Sequence, residues 1–329
     1  MTRFDDIHGQ PVAVRTLERA LTQDRLASAY LFAGPSGVGK EALAMALACA
    51  RNCPNGGCKC PICERIRSGQ HPDVRVFHPR EEGNRNLQVE VVREEIRPLS
   101  QFAPFEAKTA FLIFPDADVS FPVQHAEAAN AMLKTLEEPR PNLVFILIAA
   151  RPERLLQTIR SRCQQVRFGP LPALTVQDIL ERHGVEPGVR EAAVALAGGR
   201  ADRALDLARE GRGEAMLNWA LRLDQAMSGG GVAERLDLGE ELARSEDRSL
   251  ILDTLCLYYR DVAAAGLAES DPLDTLRFRH RADAIVRRAR ELGPGEAATR
   301  VERVERLNEQ LARNANPEIA LDALLFAFG

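Results

Sequence analysis

A glycine-rich segment near the start of the chain constrains the fold most strongly. Residues 34–40 have the sequence Gly-Pro-Ser-Gly-Val-Gly-Lys, between an apolar run at 30–33 and an alanine-rich stretch at 41–51. A strand, a glycine-rich turn and a helix in this order are the context that a phosphate-binding loop requires. We therefore predict an α/β nucleotide-binding domain in which Lys40 reaches the terminal phosphates. Glycines bring backbone N–H groups close to phosphate oxygens, and here they are Gly34, Gly37 and Gly39.

Two positions that normally organise Mg²⁺ carry unsuitable residues. Glu41 follows Lys40 where a Ser or Thr hydroxyl usually holds the metal. After the apolar run 110–114, Pro115 occupies the first acidic slot and Asp116 the place of the catalytic carboxylate. Because phosphoryl transfer depends on Mg²⁺, we expect that ATP or ADP can bind but is not hydrolysed. Glu41 also fits a simpler interpretation, a solvated residue in the first turn that suits the helix dipole.

The apolar runs of the first half predict a single parallel sheet. Helical stretches separate these runs, and continuous apolar sequences are typical of parallel strands that are buried on both faces. The strands alternate with helices, which indicates a right-handed α/β domain. The predicted strands are 30–33, 74–77, 110–114, 143–148 and 166–168.

After residue 172 the periodicity becomes helical, and we find no further strand pattern. The glycine-rich residues 228–231 predict a loop between two helices. We divide the chain into an α/β domain at 1–170, a small helical domain at 171–209 and an all-helical domain at 210–329.

Five of the seven cysteines lie close together in the first domain. Cys53, Cys58, Cys60 and Cys63 fall within eleven residues, and four thiolates form a closed, structural zinc site. We expect a zinc module at about 49–66. One residue separates Cys58 from Cys60, where two are usual, and Cys49 lies one helical turn before Cys53 and could replace a ligand. Cys49 also fits a small buried helix residue, and we interpret Cys163 and Cys256 as core residues.

Charge and hydropathy exclude several classes of protein. The net charge of −4 argues against a chain that grips nucleic acid strongly by itself, since that needs clustered Lys and Arg. A zinc-dependent nucleic-acid module is disfavoured because residues 49–67 contain no aromatic side chain. No apolar run has the length of a membrane span, and the first residues show no signal-peptide core, so we predict the cytoplasm and no membrane contact.

Several motifs resemble those of bacterial clamp-loader subunits of the AAA+ class. Residues 130–139 have the sequence Asn-Ala-Met-Leu-Lys-Thr-Leu-Glu-Glu-Pro, residues 161–163 are Ser-Arg-Cys, and residues 314–317 are Asn-Ala-Asn-Pro. His71-Pro72-Asp73 also matches, and the resemblance extends from about residue 4 to about residue 325. It implies an AAA+-type domain with an inserted zinc module whose first ligand is Cys53. A small helical lid and an all-helical collar for oligomerisation would follow.

The resemblance also implies roles for two arginines. Arg162 of the Ser-Arg-Cys motif would enter the ATP site of a neighbouring subunit as an arginine finger. Arg203 resembles the lid arginine that contacts nucleotide, and a purely structural role is an equally good interpretation.

Two branches of the family share these motifs, the gamma/tau ATPases and the delta-prime subunits. Three features of the sequence favour the delta-prime branch. They are Glu41, Pro115 and the Ala149-Ala150 pair, which lies where the ATPases carry a polar residue that senses the terminal phosphate. That branch implies a subunit of the DNA polymerase III holoenzyme that hydrolyses no ATP by itself and helps to load the sliding clamp. Its partners would be gamma/tau and delta subunits, with the beta clamp and primed DNA met through the complex. The alternative is an active gamma-type ATPase.

Overall fold

The computed structural model of the chain describes residues 4, 7–53, 55, 58, 60–79, 87–122, 127–269, 273 and 275–327. Two compact units can be distinguished in it. The first comprises Met1–Thr175 together with Gly199–Asp202, and the second comprises Val176–Gly198 and Arg203–Gly329. The finer division into three domains stays a prediction.

Among the described residues, five strands form one parallel sheet in the first unit. They are β1 (Ala29–Ala33), β2 (Val74–Val76), β3 (Ala110–Phe114), β4 (Leu143–Ala149) and β5 (Gln164–Arg167). Their order across the sheet is β2-β3-β4-β1-β5, so β1 lies between β4 and β5. β1, β3 and β4 are buried along their whole length, which explains why their sequences are continuously apolar. The prediction of a parallel α/β sheet is confirmed.

This strand order positions the candidate site. The strands are parallel, so the carboxyl ends of β1, β3 and β4 meet at one edge of the sheet. The glycine-rich turn follows β1, the acidic turn follows β3, and Ala149-Ala150 ends β4. Ligands of open α/β sheets bind at this edge.

The core on one face of the sheet is aromatic. The ring centroid of Phe114 lies 5.3 Å from that of Phe77, 5.5 Å from that of Phe121 and 6.5 Å from that of Phe145. The helix at 127–137 buries Ala128, Ala129 and Met132 in the same cluster. Its small alanines let the helix approach the strands closely, and this packing holds the turn after β3 in place.

Helices connect the strands of the first unit. The glycine-rich turn leads directly into α2, and a π-helical segment at Val92–Ile96 joins α4 to α5. The helices are α1 (Pro11–Thr22), α2 (Lys40–Asn52), α3 (Pro61–Arg67), α4 (Val89–Val91), α5 (Arg97–Gln101), α6 (Ala117–Ser120), α7 (Glu127–Glu137) and α8 (Gln157–Arg160).

Beyond residue 172 the described residues form helices and turns, as predicted. The helices are α9 (Ala173–Arg182), α10 (Pro187–Ala197), α11 (Ala201–Ala208), α12 (Arg212–Gly229), α13 (Val232–Arg244), α14 (Arg248–Leu267), α15 (Ala282–Leu292), α16 (Pro294–Ala312) and α17 (Pro317–Leu325). Within the described ranges, no helix combines the length and apolarity needed to cross a bilayer.

The loop predicted at 228–231 is shorter in the structure. α12 continues through Gly229, and only Gly230 and Gly231 connect it to α13. Ser228 is still helical, and its hydroxyl donates to the Asp224 carbonyl oxygen, one turn earlier, at 2.7 Å. Tertiary packing of α12 outweighs the low helix propensity of glycine here.

A buried charge cluster ties the helices of the second unit together. The Asp224 carboxylate on α12 accepts hydrogen bonds from the Tyr259 hydroxyl at 2.8 Å and from the Arg300 guanidinium at 3.1 Å. The Arg288 Nε lies 2.8 Å from the other carboxylate oxygen. These partners come from α14, α16 and α15, so one carboxylate fixes four helices.

Candidate functional site

The glycine-rich turn has the backbone conformation of a phosphate loop. Gly37 and Gly39 have φ angles of +68° and +89°, in the left-handed region that favours glycine. At Gly34, a Cβ atom would lie 2.2 Å from the Phe168 carbonyl oxygen, so a side chain cannot fit there. Lys40 begins α2 immediately afterwards. Sequence and structure agree on the loop, and its binding of nucleotide stays a prediction.

Lys40 is folded back onto its own loop. Its side chain is buried, and the ammonium donates hydrogen bonds to the carbonyl oxygens of Gly34, at 2.6 Å, and Pro35. Burial lowers the pKa of Lys40, although attraction to Asp118, Asp116 and Asp202 opposes this effect. The lysine that would meet the terminal phosphates therefore donates hydrogen bonds to carbonyl oxygens of its own chain and is attracted by carboxylates of the same chain.

The acidic turn after β3 differs from the arrangement that holds Mg²⁺. Pro115 is buried, and Asp116 is exposed in the left-handed region with φ 48°. Asp118 is buried instead, and its carboxylate accepts the backbone N–H groups of Ala150 at 3.2 Å and Arg151 at 3.0 Å. It thus ties this turn to the end of β4. Sequence reasoning assigned no role to Asp118, although a second acid two residues after Asp116 was a visible signal.

A second residue that sequence reasoning missed is Asp202. Its carboxylate lies against the glycine-rich turn, since a Cβ atom built on Gly37 would be 1.7 Å from Asp202 Oδ1. The backbone N–H of Ala201 donates to the Gly37 carbonyl oxygen at 2.8 Å. Arg200 forms an ion pair with Asp202 at 2.9 Å. Sequence reasoning singled out the neighbouring Arg203 and assigned no role to Asp202.

Arg203 belongs to the second unit. It lines a cavity of about 470 Å³ together with Asp253, Cys256 and Arg260. Burial raises the pKa of Asp253, and the positive charge of Arg203 opposes that rise. These neighbours fit the structural interpretation of Arg203, whose contact with nucleotide stays a prediction.

Arg162 lies just after α8 and forms an ion pair with Glu137, the last residue of α7. Its guanidinium also donates to the Thr158 carbonyl oxygen at 2.9 Å. The arginine side chain is 33% exposed, so part of the guanidinium is accessible from outside the chain. The adjacent Cys163 packs against the core, and burial raises its pKa to about 12, which makes it a poor nucleophile.

The four predicted cysteine ligands come together. The sulfur atoms of Cys53, Cys58, Cys60 and Cys63 all lie within 4.8 Å of one another. The Cys53 sulfur is 3.4 Å from that of Cys58 and 3.6 Å from that of Cys60. Sulfurs bound tetrahedrally to one zinc ion, each at about 2.3 Å, would be about 3.8 Å apart, so the donor set fits a single ion of this size.

Local structure explains how this sequence forms the cluster. Cys60 is the N-cap of α3 and Cys63 lies in its first turn, so both thiols point to the start of the helix. The backbone N–H of Cys63 stabilises the Cys60 thiolate and lowers the pKa of Cys60 to about 6. Cys49 is buried one turn earlier in α2, and its thiol lies 3.9 Å from the Cys63 carbonyl oxygen, outside the four-sulfur group.

Comparison with known proteins identifies the family. A family model described as "DNA polymerase III, delta subunit" matches residues 9–172. The delta-prime subunit of DNA polymerase III from Bacillus subtilis (strain 168) is 36% identical over 182 residues, which are 54% of this chain and 53% of that protein. The delta-prime subunit from Pseudomonas aeruginosa is 40% identical over 151 residues, or 44% of each chain. This chain belongs to the DNA polymerase III clamp-loader family.

The matches also include the gamma/tau branch of the clamp-loader family. The tau subunit of Bacillus subtilis is 31% identical over 288 residues, covering 83% of this chain and 45% of that protein. The chain spans about half the length of the curated relatives it matches. Among solved structures, a gamma subunit-related protein of Thermotoga maritima aligns with 96% of this chain and 97% of its own length, at 20% identity and a TM-score of 0.45.

Two motifs of this clamp-loader family chain have a clear structural role. The Asp73 carboxylate of the His-Pro-Asp segment accepts the backbone N–H groups of Phe105, Glu106 and Ala107 at 2.7, 2.9 and 2.8 Å. It therefore holds the loop that precedes β3. Asn316 caps α17 by accepting the backbone N–H of Glu318 at 3.0 Å.

Proposed function

We propose that this chain is a non-hydrolysing, delta-prime-type subunit of the DNA polymerase III clamp loader, which supports loading of the sliding clamp onto primed DNA. The observations that carry the proposal are the two altered Mg²⁺-organising positions and the engagement of a nearby carboxylate. Glu41 replaces a hydroxyl, Pro115 is buried, and Asp118 is engaged by the backbone of Ala150 and Arg151. Without a bound Mg²⁺, the charge that develops on a transferring phosphoryl group is not neutralised.

Arg162 supplies the catalytic contribution of this subunit. We assign it as an arginine finger for the ATP site of a neighbouring gamma/tau-type subunit. Its ion pair with Glu137 is partly exposed, and pairs of this kind contribute only about 0–1 kcal/mol. A planar guanidinium can exchange such a partner for the phosphate oxygens of another subunit's nucleotide, with which it forms stronger, bidentate hydrogen bonds.

Zinc has a structural role in this proposal. The thiolates of Cys53, Cys58, Cys60 and Cys63 would hold one ion, and a closed set of four ligands leaves no open position for catalysis. The ion would link the end of α2 to the start of α3, a stretch with little apolar sequence of its own. Nucleotide, where it binds, would occupy the glycine-rich turn without being hydrolysed.

In this proposal, the helical part of the chain joins the subunit to its partners. Residues 171–209 act as the lid and residues 210–329 as the collar that joins gamma/tau and delta subunits. The beta clamp and primed DNA are met through the assembled complex, which agrees with a net charge of −4 on this chain. The complex works in the cytoplasm, where the chromosome is replicated.

The alternative function is an active gamma-type ATPase. It is favoured by the match to the tau subunit, which covers 83% of this chain. The two functions differ in one property of the isolated chain, because a gamma-type subunit hydrolyses ATP through its own loop lysine. Glu41 and Pro115 are the residues that argue against this alternative.

The test has two parts. The purified chain is assayed for ATP hydrolysis with Mg²⁺ beside its Lys40→Ala variant, and we expect no difference between them. The chain is then mixed with gamma/tau-type and delta-type subunits of a bacterial loader, and native mass spectrometry should find it in the complex. Steady hydrolysis that Lys40→Ala abolishes would support the gamma-type alternative, and exclusion from the complex would contradict both functions.

A further inference from the structure

The chain places one of its own carboxylates on the glycine-rich turn. Asp202 Oδ1 lies where it would be 1.7 Å from a Cβ atom on Gly37, which means that the carboxylate is in direct contact with the loop backbone. Gly37 tolerates this approach because it has no side chain. An anionic group held against the backbone of a phosphate loop opposes the binding of phosphate there, because the two negative charges repel each other.

The segment that carries Asp202 is anchored to the first unit by hydrogen bonds on both sides. The Ala201 N–H donates to the Gly37 carbonyl oxygen, and the Leu171 N–H donates to the Gly199 carbonyl oxygen, each at 2.8 Å. Gly199 has a φ of +77°, and a Cβ atom there would lie 2.7 Å from the Leu171 carbonyl oxygen. The close approach of Gly199–Asp202 to the loop is therefore built into the backbone.

Charge at the loop is already balanced without a ligand. The Lys40 ammonium is attracted by Asp118, Asp116 and Asp202, and it is buried against carbonyl oxygens of its own loop. Arg200 faces the Asp202 carboxylate with two of its nitrogens, at 2.9 and 3.3 Å. A di- or triphosphate entering this space meets carboxylates of the same sign and must displace Asp202 from Gly37.

We infer that Asp202 is the residue that excludes nucleotide phosphate from the glycine-rich turn of this chain. The inference goes beyond the proposed function, which leaves nucleotide binding open and concerns hydrolysis and assembly. It assigns the exclusion to the first turn of α11 and not to the altered Mg²⁺ positions. Nucleotide binding and the contact between Asp202 and Gly37 are mutually exclusive.

The test measures binding of a fluorescent ADP to the full chain by anisotropy, with and without Mg²⁺. Asp202→Asn keeps the size of the side chain and removes the charge, and Asp202→Ala removes both. Asp206→Asn is the matched control, because Asp206 lies on the same helix and pairs with Arg212 at 2.7 Å. We expect both Asp202 variants to bind at least about tenfold more tightly than the unaltered chain, since a like charge near the phosphates is removed. The control should not change the affinity.

Two further measurements make the result decisive. Adding Lys40→Ala to Asp202→Asn should abolish the gain, which shows that the nucleotide uses the loop. In the unaltered chain, hydrogen exchange at the Ala201 amide should become faster when ADP is added at high concentration, because moving Asp202 away from Gly37 weakens the adjacent bond from Ala201 to the Gly37 carbonyl oxygen. Folded Asp202 variants with unchanged ADP affinity, or tight ADP binding by the unaltered chain with Ala201 still protected, would overturn the inference. Neither outcome bears on assembly of the loader.

Discussion

Arg162 forms an ion pair with Glu137, and this contact joins two segments that the family resemblance rests on. Glu137 ends α7 within residues 130–139, and Arg162 is the centre of the Ser-Arg-Cys segment. The side chains are 33% and 46% exposed, so solvent screens the pair. Glu137 therefore directs the guanidinium without binding it strongly. In the proposed role, contact with another subunit, Arg162 would benefit from a partner that orients it and can release it.

Replacing Arg162 by alanine should leave the chain folded and able to assemble. An arginine finger can contribute roughly a thousandfold to hydrolysis at its own site, so the ATPase rate of the reconstituted loader should fall. The loss is partial if other sites use fingers from their own neighbours. Arg160→Ala, an exposed arginine of α8, is the matched control. Normal assembly with full hydrolysis in the Arg162 variant would mean that Arg162 is only structural.

The cysteine cluster should bind one zinc ion per chain. Cys58→Ala should lose the metal and lower the melting temperature, because Cys58 contributes one of four sulfurs and is only partly buried. Cys49→Ala should keep it, since the Cys49 thiol contacts the Cys63 carbonyl oxygen and lies outside the group. Elemental analysis and thermal melting with and without a chelator check both variants. Metal lost from the Cys49 variant and retained by the Cys58 variant would reverse the ligand assignment.

Asp73 should make the first unit sensitive to acid. Burial alone would raise its pKa, but the hydrogen bonds from Glu106, Phe105 and Ala107 outweigh burial and hold the pKa below its ordinary value. A depressed pKa stabilises the fold above the unfolded-state pKa of about 4, and this contribution disappears as the pH falls through the folded-state pKa. Asp73→Asn should therefore lower the free energy of unfolding by about 1–3 kcal/mol at pH 7, since it weakens three hydrogen bonds to a charged group.

Denaturant unfolding of this chain and of Asp73→Asn between pH 7 and pH 3 checks that prediction. The difference in free energy of unfolding between the two proteins should shrink in the acidic part of the range. Glu153→Gln is a suitable control, because Glu153 is an exposed carboxylate of the same unit. A difference that stays constant with pH would show that the Asp73 charge does not stabilise the loop.

Asp224→Asn should destabilise the second unit strongly. It would leave the buried guanidinium groups of Arg288 and Arg300 without their shared carboxylate, a loss of about 3–5 kcal/mol for a buried ion pair. Glu241→Gln removes an exposed partner of Arg222 and should cost less than about 1 kcal/mol. Calorimetry of both variants makes the comparison. Equal effects would mean that the cluster around Asp224 is not what joins its helices.

The sequence by itself determined the local elements of this protein. The strands were predictable because β1, β3 and β4 are buried on both faces and must be apolar along their whole length. The glycine-rich turn was predictable because its positive φ angles need glycine, and the cysteine cluster because its ligands are close in the chain. These are properties of short segments, which spacing and residue type express directly.

Only the tertiary structure decided which charged side chains meet. Asp202 and Gly37 are far apart in sequence, and adjacent helix residues point in different directions, so the pattern could not tell that Asp202 contacts the loop. The same holds for Asp118, whose partners at Ala150 and Arg151 follow from the neighbouring positions of β3 and β4. It also holds for Cys49, which the packing of α2 against α3 keeps outside the sulfur group. Contacts of this kind depend on strand order and helix packing, which no short segment encodes alone.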